Sequence, residues 1–318
     1  MFERILVPLD GSKKSETAVL AAETLSGKFA AAQADGTRGE IILLYVNEPH
    51  APRRIHGEHH LQGVSEAESY LEALAEKSRA RGFSVRWHVH ESTERDVAVG
   101  IALHDREMDP DLIVVSSHGA RGSARLFTGS VAQRIAGASA VPVFMVRSDW
   151  KPPESDFLCR GILVPLDGQM SHEAGLPVAL KLATRCRAEI HLMLIVPTFN
   201  TTEGNVDPIR RYLPGTTMRM LDLEVGAGER YVAAAAEEIQ KQGITVTWEV
   251  SRGDPSKQIV KATRDTPCDL LILATHGNEG FNAFWTGSVA HRICSYTDIP
   301  VLLVPVQRDE QRVEPSEG

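Results

Sequence analysis

Two short segments of this chain carry residue types that suit a bound nucleotide. Asp10 directly follows the apolar run Ile5–Leu9, and a carboxylate at the end of a strand can accept hydrogen bonds from ribose hydroxyls. Further along, nine residues separate Gly119 from Gly129, which is followed by Ser130. Glycines let the backbone approach an anion, and a serine at the start of a helix favours phosphate oxygens. The spacing predicts a phosphate-binding loop that faces an acidic strand end.

Both segments occur twice, which indicates a duplicated domain. The second copy lies 157 or 158 residues after the first, too long a period for a solenoid repeat. The 318 residues therefore predict two domains of ordinary size, at 1–148 and 160–306, with a linker at 149–159 and a polar tail at 307–318. The repeated segments are Ile5–Gly11 with Ile162–Gly168, His118-Gly119 with His276-Gly277, Gly129-Ser130 with Gly287-Ser288, and Val141–Val143 with Ile299–Val301.

The hydrophobic pattern of each half alternates short apolar runs with helical segments. Continuous apolar runs of this length are typical of parallel strands that are buried on both faces. The predicted fold class is α/β, with two tandem doubly wound domains that each contain a five-stranded, mostly parallel sheet. The predicted strands are Ile5–Leu9, Ile41–Val46, Val85–Val89, Leu112–Ser116 and Val141–Val146, then Ile162–Leu166, Glu189–Val196, Thr245–Val250, Leu270–Ala274 and Val301–Pro305.

The chain resembles the universal stress protein family over residues 2–147 and 160–306. The resemblance rests on Ile-Leu-Val-Pro-Leu-Asp-Gly and on His-Gly-x9-Gly-Ser-Val, in both halves. Nucleotide-binding members carry Gly-x2-Gly-x9-Gly-(Ser/Thr), and here Ser116 and Ala274 replace the first glycine. The resemblance implies an ATP site in half one at Pro8, Leu9, Asp10, Val46, Ser116, His118, Gly119, Gly129, Ser130 and Val131. In half two it implies Pro165, Leu166, Asp167, Ile195, Ala274, His276, Gly277, Gly287, Ser288 and Val289.

The predicted loops of the two halves differ in charge. Arg121 and Arg125 add two cations to the first loop, where they could reach phosphates. The second loop has Glu279 and no cation, and three aromatic residues there, Phe281, Phe284 and Trp285, could fill the site. We therefore expect the first half to bind nucleotide more tightly. Arg134 and Arg292, which follow the loops, are expected to be exposed or carboxylate-paired helix arginines rather than phosphate ligands.

The favoured function is ATP binding, with or without Mg²⁺, in a stress-response protein whose role is conformational or regulatory rather than efficient catalysis. No residue is assigned as catalytic or as a resident metal ligand, because neither half has a P-loop or a Gly-x-Ser-x-Gly nucleophile elbow. Two alternatives stay open: a slow ATP hydrolase with a metal held by Asp10 and phosphates, and a binding module for another small ligand or a protein. The glycines could also simply form turns, with Ser130 capping a helix.

The composition of the chain indicates which classes of partner and which compartment to expect. The formal net charge of −8 argues against a nucleic-acid partner. No apolar stretch is long enough to predict a membrane-spanning segment. None of the four cysteines forms a Cys-x-x-Cys pair, which favours a reducing cytoplasm over a disulfide framework. The resemblance also implies that Val141–Val146 and Val301–Pro305 pair as edge strands. The chain would then be an intramolecular pseudo-dimer that binds a nucleotide and a protein partner, with a homo-oligomer left open.

Overall fold

The elements of the fold were assigned on a computed structural model. It describes residues 1–29, 39–47, 54–55, 58–59, 61, 63–91, 101, 108–117, 131–152, 159–166, 174–196, 198, 214–276 and 289–306. The strands are β1 (Arg4–Leu9), β2 (Glu40–Asn47), β3 (Arg54–Ile55), β4 (Glu58–His59), β5 (Ser84–Glu91), β6 (Leu112–Ser117), β7 (Val143–Arg147), β8 (Gly161–Leu166), β9 (Glu189–Val196), β10 (Val246–Arg252), β11 (Leu270–His276) and β12 (Val301–Val306). The helices are α1 (Thr17–Phe29), α2 (Val64–Ala80), α3 (Val131–Ala138), α4 (Gly175–Cys186), α5 (Pro214–Lys241), α6 (Pro255–Asp265) and α7 (Val289–Tyr296).

Ten strands form one sheet in the order β10-β9-β8-β11-β12-β7-β6-β1-β2-β5. Within each half all five strands are parallel, which confirms the predicted α/β class with two doubly wound units. The halves join where β7 pairs antiparallel with β12, with Phe144 opposite Leu302. The expected pairing of the last strands is therefore present within this one chain.

Successive residues of the central strands enter different cores, because side chains alternate between the faces of a sheet. Ile41 and Leu43 of β2 pack on the face covered by α1 and α2, whereas Ile42 and Leu44 pack on the opposite face, toward α3. These β2 residues are all fully buried, which explains the continuous apolar runs in the sequence. Burial of one such aliphatic side chain contributes about 1.5–3 kcal/mol. The result is a three-layer α/β/α arrangement that continues across both halves.

One acidic residue in each half anchors the amino ends of the central strands. Asp111 accepts hydrogen bonds from the backbone amides of Glu3 (2.6 Å) and Arg4 (3.2 Å) just before β1. Asp269, at the corresponding position of half two, accepts from Cys159 at 2.9 Å and from Arg160 at 3.0 Å. Because a charged acceptor strengthens such bonds, each carboxylate fixes where its first strand begins.

Two features add to the predicted pattern. The long loop after β2, which lies between β2 and α2, contains the short antiparallel pair β3–β4, which is not among the predicted strands. In half two, α5 is 28 residues long, well above the usual helix length. Among the described helices, none combines the length and apolar content needed to cross a bilayer.

Candidate functional site

A crevice opens between β1 and β6 at their carboxyl ends. The two strands pair in register at Ile5–Leu112 and Leu6–Ile113, whereas pairing of β1 with β2 continues to Leu9. The Arg4 carbonyl accepts from the Asp111 amide on the β6 side. Backbone groups alternate sides along a strand, so the nitrogen of Pro8 also faces β6. Proline has no N–H, and the ladder to β6 therefore lacks a donor at this point.

The same construction occurs in half two. There β8 and β11 pair at Ile162–Leu270 and Leu163–Leu271, and β8 pairs with β9 as far as Leu166. The Gly161 carbonyl accepts from the Asp269 amide on the β11 side, so the nitrogen of Pro165 faces β11. In open parallel sheets, ligands bind where the connections from two adjacent strands run to opposite sides of the sheet. Each half thus has one crevice at a topological switch point.

The backbone of the residues that replace the motif's first glycine faces these crevices. The amide of Ile113 donates to Pro142 next to β7, which places the backbone groups of Ser116 on the β1 side of the strand. By the same argument, the Leu271 amide donates to Pro300, and the backbone of Ala274 therefore faces β8. Both side chains are half-buried. The structure therefore brings Ser116 toward Pro8 and Ala274 toward Pro165.

A network of short hydrogen bonds holds the turn between β1 and α1. The Ser12 amide donates to Oδ1 of Asp10 at 2.9 Å, and the Ser15 hydroxyl donates to the Ser12 carbonyl at 2.7 Å. The Ser15 amide lies 3.2 Å from Oγ of Ser12. Asp10 is half-buried, whereas Ser12 is fully buried. Asp and Ser commonly stabilise turns through such side-chain bonds to the backbone. The bonds fix the position of the Asp10 carboxylate at the crevice.

Leu61 closes this turn from the side of the long loop. Gly11 has a φ of +82°, and a Cβ atom on it would lie 2.8 Å from Cγ of Leu61. The Leu61 side chain is buried, and the Tyr45 hydroxyl donates to the Leu61 carbonyl at 3.4 Å. The long loop after β2 therefore contacts the carboxyl edge of β1. A glycine is needed at residue 11 both for its backbone angle and for the close approach.

The exit from β7 links the two sides of the crevice. The Ser148 amide donates to the Ser117 carbonyl at 2.9 Å, and the Thr17 hydroxyl donates to the Ser148 carbonyl at 2.9 Å. The end of β6 is thereby joined, through one residue, to the first turn of α1. Ser148 thus holds the end of β6 and the start of α1 together.

The remaining candidate residues fall into four groups. Leu9 and Leu166 have buried side chains in the core, so only their backbone can face a ligand. Val46 is buried near the end of β2, and Ile195 is half-buried near the end of β9. His276 ends β11, while Val131 and Val289 begin α3 and α7. The others lie outside the described residues: His118, Gly119, Arg121, Arg125, Gly129, Ser130, Asp167, Gly277, Gly287 and Ser288.

Arg292 has the carboxylate partner expected for a helix arginine. Its Nη1 lies 3.2 Å from Oδ2 of Asp254. The other carboxylate oxygen, Oδ1, accepts a hydrogen bond from the Lys257 amide at 2.9 Å and caps α6. Burial tends to raise the pKa of Asp254, but the Ser256 hydroxyl, the Lys257 amide and Arg292 together hold it below the ordinary value. The pair ties the start of α6 to α7, the helix that follows the second glycine loop.

The universal stress protein family model matches residues 1–147 and 159–305. The chain belongs to the universal stress protein family. Universal stress protein YxiE of Bacillus subtilis is 24% identical over 144 residues, which cover 45% of this chain and 97% of YxiE. A universal stress protein of Mycolicibacterium smegmatis is 23% identical over 213 residues, which cover 66% of this chain and 67% of the relative. A crystal structure of a universal stress protein from Archaeoglobus fulgidus aligns with a TM-score of 0.65 at 18% identity, over 96% of this chain and 97% of that chain.

These matches establish the family and the fold of both halves of this universal stress protein. The Archaeoglobus alignment extends over nearly all of both chains, so the two proteins share this fold. Sequence reasoning missed the contact of Leu61 with Gly11 and the role of Pro8 and Pro165 in ending the ladder. The role of the two prolines could have been found from the sequence, since a proline that recurs in a central strand marks a missing ladder bond.

Proposed function

We propose that this universal stress protein binds ATP in the crevice of half one and uses occupancy of that site to regulate a partner protein. The observation that carries the proposal is the crevice at Pro8, where the β1–β6 ladder stops and the Asp10 carboxylate is held beside it. The glycine loop that follows β6 leads to the amino end of α3, and amides at a helix start favour phosphate oxygens. Asp10 would bind the ribose, and the loop would bind the phosphates.

The two crevices would work independently. Because β7 and β12 are antiparallel, the carboxyl ends of the two sets of strands lie on opposite edges of the ten-stranded sheet. One nucleotide therefore cannot bridge both sites. Each half has its own strand end, its own proline and its own glycine loop, which supports two separate binding events of different affinity.

We propose that half one holds the tighter site. Arg121 and Arg125 lie in its loop, whereas the second loop carries Glu279 and no cation. A well-formed charge-assisted contact to phosphate contributes about 1.5–3 kcal/mol. Loss of one such contact together with a repelling carboxylate corresponds to about tenfold or more in affinity. We expect about one tightly bound ATP per chain.

Titration calorimetry of the full chain tests this assignment. The stoichiometry should be near one, and Asp10→Ala should weaken binding far more than the matched variant Asp167→Ala. Gly129→Val should abolish binding because a branched side chain would block the phosphates. ATP at about a hundred times its dissociation constant should stabilise the parent by about 2.7 kcal/mol, and the Gly129 variant should lose that stabilisation.

Three results would count against the proposal. Two equivalent sites would contradict the asymmetry. Sensitivity to Asp167→Ala alone would place the function in half two. Equal stabilisation of the parent and of Gly129→Val by ATP would show that ATP does not bind at the glycine loop. Release of phosphate on the time scale of binding would instead favour the hydrolase alternative.

A further inference from the structure

Two cysteines are neighbours near the join of the two halves. Cys159 lies two residues before the first strand of half two, and Cys186 is the last residue of α4. Each thiol shifts the pKa of the other, and both are free of disulfide bonds. Cys159 is buried, at 2% exposure, whereas Cys186 is half-buried and reachable from solvent.

Half one has an aromatic pair at the corresponding positions. The repeat aligns Cys159 with Phe2 and Cys186 with Phe29. The two phenyl rings pack edge to face, with centroids 5.8 Å apart. Phe2 and Cys159 also share a left-handed backbone, with φ of 61° and 77°. The fold thus places these two side chains together in both halves, and half two has thiols where half one has rings.

The backbone on both sides of the thiol pair is fixed. Asp269 accepts the Cys159 amide at 2.9 Å. After Cys186, Arg187 adopts a left-handed conformation, and its amide donates to the Ala183 carbonyl, ending the helix. Cys159 also lines the apolar space between the halves, together with Phe2 and Phe29. Hydrogen bonds thus fix the backbone at each of the two cysteines.

Exposure to solvent divides the roles of the two sulfurs. Interaction with Cys159 lowers the pKa of Cys186, and the charge of Lys28 acts in the same direction against partial burial. Interaction with Cys186 and burial raise the pKa of Cys159. Of the two thiols only Cys186 is reachable from solvent, so Cys186 reacts first as the thiolate and Cys159 supplies the second sulfur.

We propose that Cys159 and Cys186 form a redox modification site that a peroxide converts to an intramolecular disulfide. The Cys186 thiolate attacks a peroxide oxygen, the O–O bond breaks, and the leaving hydroxide takes a proton to become water. This step oxidises Cys186 to a sulfenic acid. Cys159 sulfur then attacks the Cys186 sulfur, the S–O bond breaks, and the Cys159 proton leaves with the hydroxide as a second water. Two thiols and one hydrogen peroxide thus give one disulfide and two waters.

The position of the site gives the disulfide a consequence for the fold. It would join the segment just before β8 to the end of α4, beside the aromatic pair Phe2–Phe29 of the other half. Oxidation would therefore reach the shared core between the halves, while both carboxyl-edge crevices keep their residues. The site is independent of the nucleotide proposal, since none of its residues faces a crevice.

The full chain should be treated with hydrogen peroxide and then mapped by mass spectrometry under non-reducing conditions. The number of free thiols in denatured protein should fall from the four of the sequence to two. A single cross-linked peptide should join Cys159 to Cys186, with the mass of two hydrogens lost, and dithiothreitol should restore both thiols. This measurement needs no variant, so a folding defect cannot obscure it.

Two variants then test the order of the steps. Cys159→Ala should leave a sulfenic acid on Cys186 that dimedone traps. The control Cys294→Ala should leave the disulfide unchanged, because burial raises the pKa of Cys294 to about 12 and no thiol pairs with it in the described residues. The proposal is overturned if four thiols survive peroxide, if the linked peptide joins any other cysteines, or if the cross-link is between chains. Failure of dimedone to label Cys186 in Cys159→Ala would overturn the assigned roles.

Discussion

Replacement of Gly11 by alanine should destabilise this protein more than the same replacement at Gly82. Both glycines have a left-handed backbone, with φ of +82° at Gly11 and +88° at Gly82. They differ in their surroundings: a Cβ at Gly82 would meet nothing within 4 Å, whereas a Cβ at Gly11 would lie 2.8 Å from Cγ of Leu61. Gly82→Ala is therefore a matched control that carries the backbone cost without the clash.

The expected magnitudes follow from these two terms. A left-handed backbone costs a non-glycine residue about 1–2 kcal/mol, and this cost destabilises both variants. Overpacking a buried site adds about 1–3 kcal/mol, and only Gly11→Ala has this second cost. We expect the free energy of unfolding to fall by about 1–2 kcal/mol for Gly82→Ala and by about 2–5 kcal/mol for Gly11→Ala.

Urea unfolding of the full chain, followed by circular dichroism, measures the difference. A double-mutant cycle with Leu61→Ala isolates the clash, because removal of the leucine branches makes room for the new methyl group. The cost of Gly11→Ala should fall toward that of Gly82→Ala in the Leu61→Ala background. Equal destabilisation by the two glycine variants, or additivity in the cycle, would refute the contact between the long loop and the β1 turn.

Three further outcomes are expected. The fragment 1–147 should fold and dimerise in sedimentation through its unpaired β7 edge, and a strictly monomeric fragment would contradict this. Asp254→Asn keeps a capping side chain but loses the charge that faces Arg292, so urea unfolding should show a loss of about 1 kcal/mol at neutral pH. Because the pKa of Asp254 is lowered in the fold, that difference should be full above its ordinary value of 3.8 and vanish as the pH falls through the lowered value; a difference that persists in acid would contradict it. Arg147→Met removes the 2.7 Å ion pair with Asp298 and should lower the unfolding free energy by about 1 kcal/mol, an effect that should shrink in high salt.

The fold could be predicted almost completely from the apolar runs and their repetition. Strands buried on both faces leave a strong signal, as in Ile41–Val46, where nearly every residue enters one core or the other. The resemblance to the universal stress protein family supplied the pairing of the last strands, and the structure shows that this pairing is antiparallel. The observed strand ends differ from the predicted ones by only a few residues.

The site was less predictable, because its walls come from residues without a chemical signature. Asp10 stood out as an acid after an apolar run, but the leucine that covers the next residue lies in a loop with no periodic pattern. The proximity of the two thiols could not be predicted either, since Cys159 and Cys186 are far apart in sequence and match no spacing motif. Contacts of this kind depend on how a loop or helix end returns to the sheet, which local sequence does not encode.

The ion pair between Arg147 and Asp298 shows what covalent linkage of two similar domains permits. In a symmetric homodimer every substitution appears twice, and a contact across the axis is always made in two copies. Here the positions that correspond to Arg147 and Asp298 are Pro305 and Ala140, so the contact exists on one side of the join alone. The fused chain can change one half while the other keeps its sequence. In such a chain one half can specialise in binding a ligand while the other carries the thiols. The two identical subunits of a homodimer cannot differ in this way.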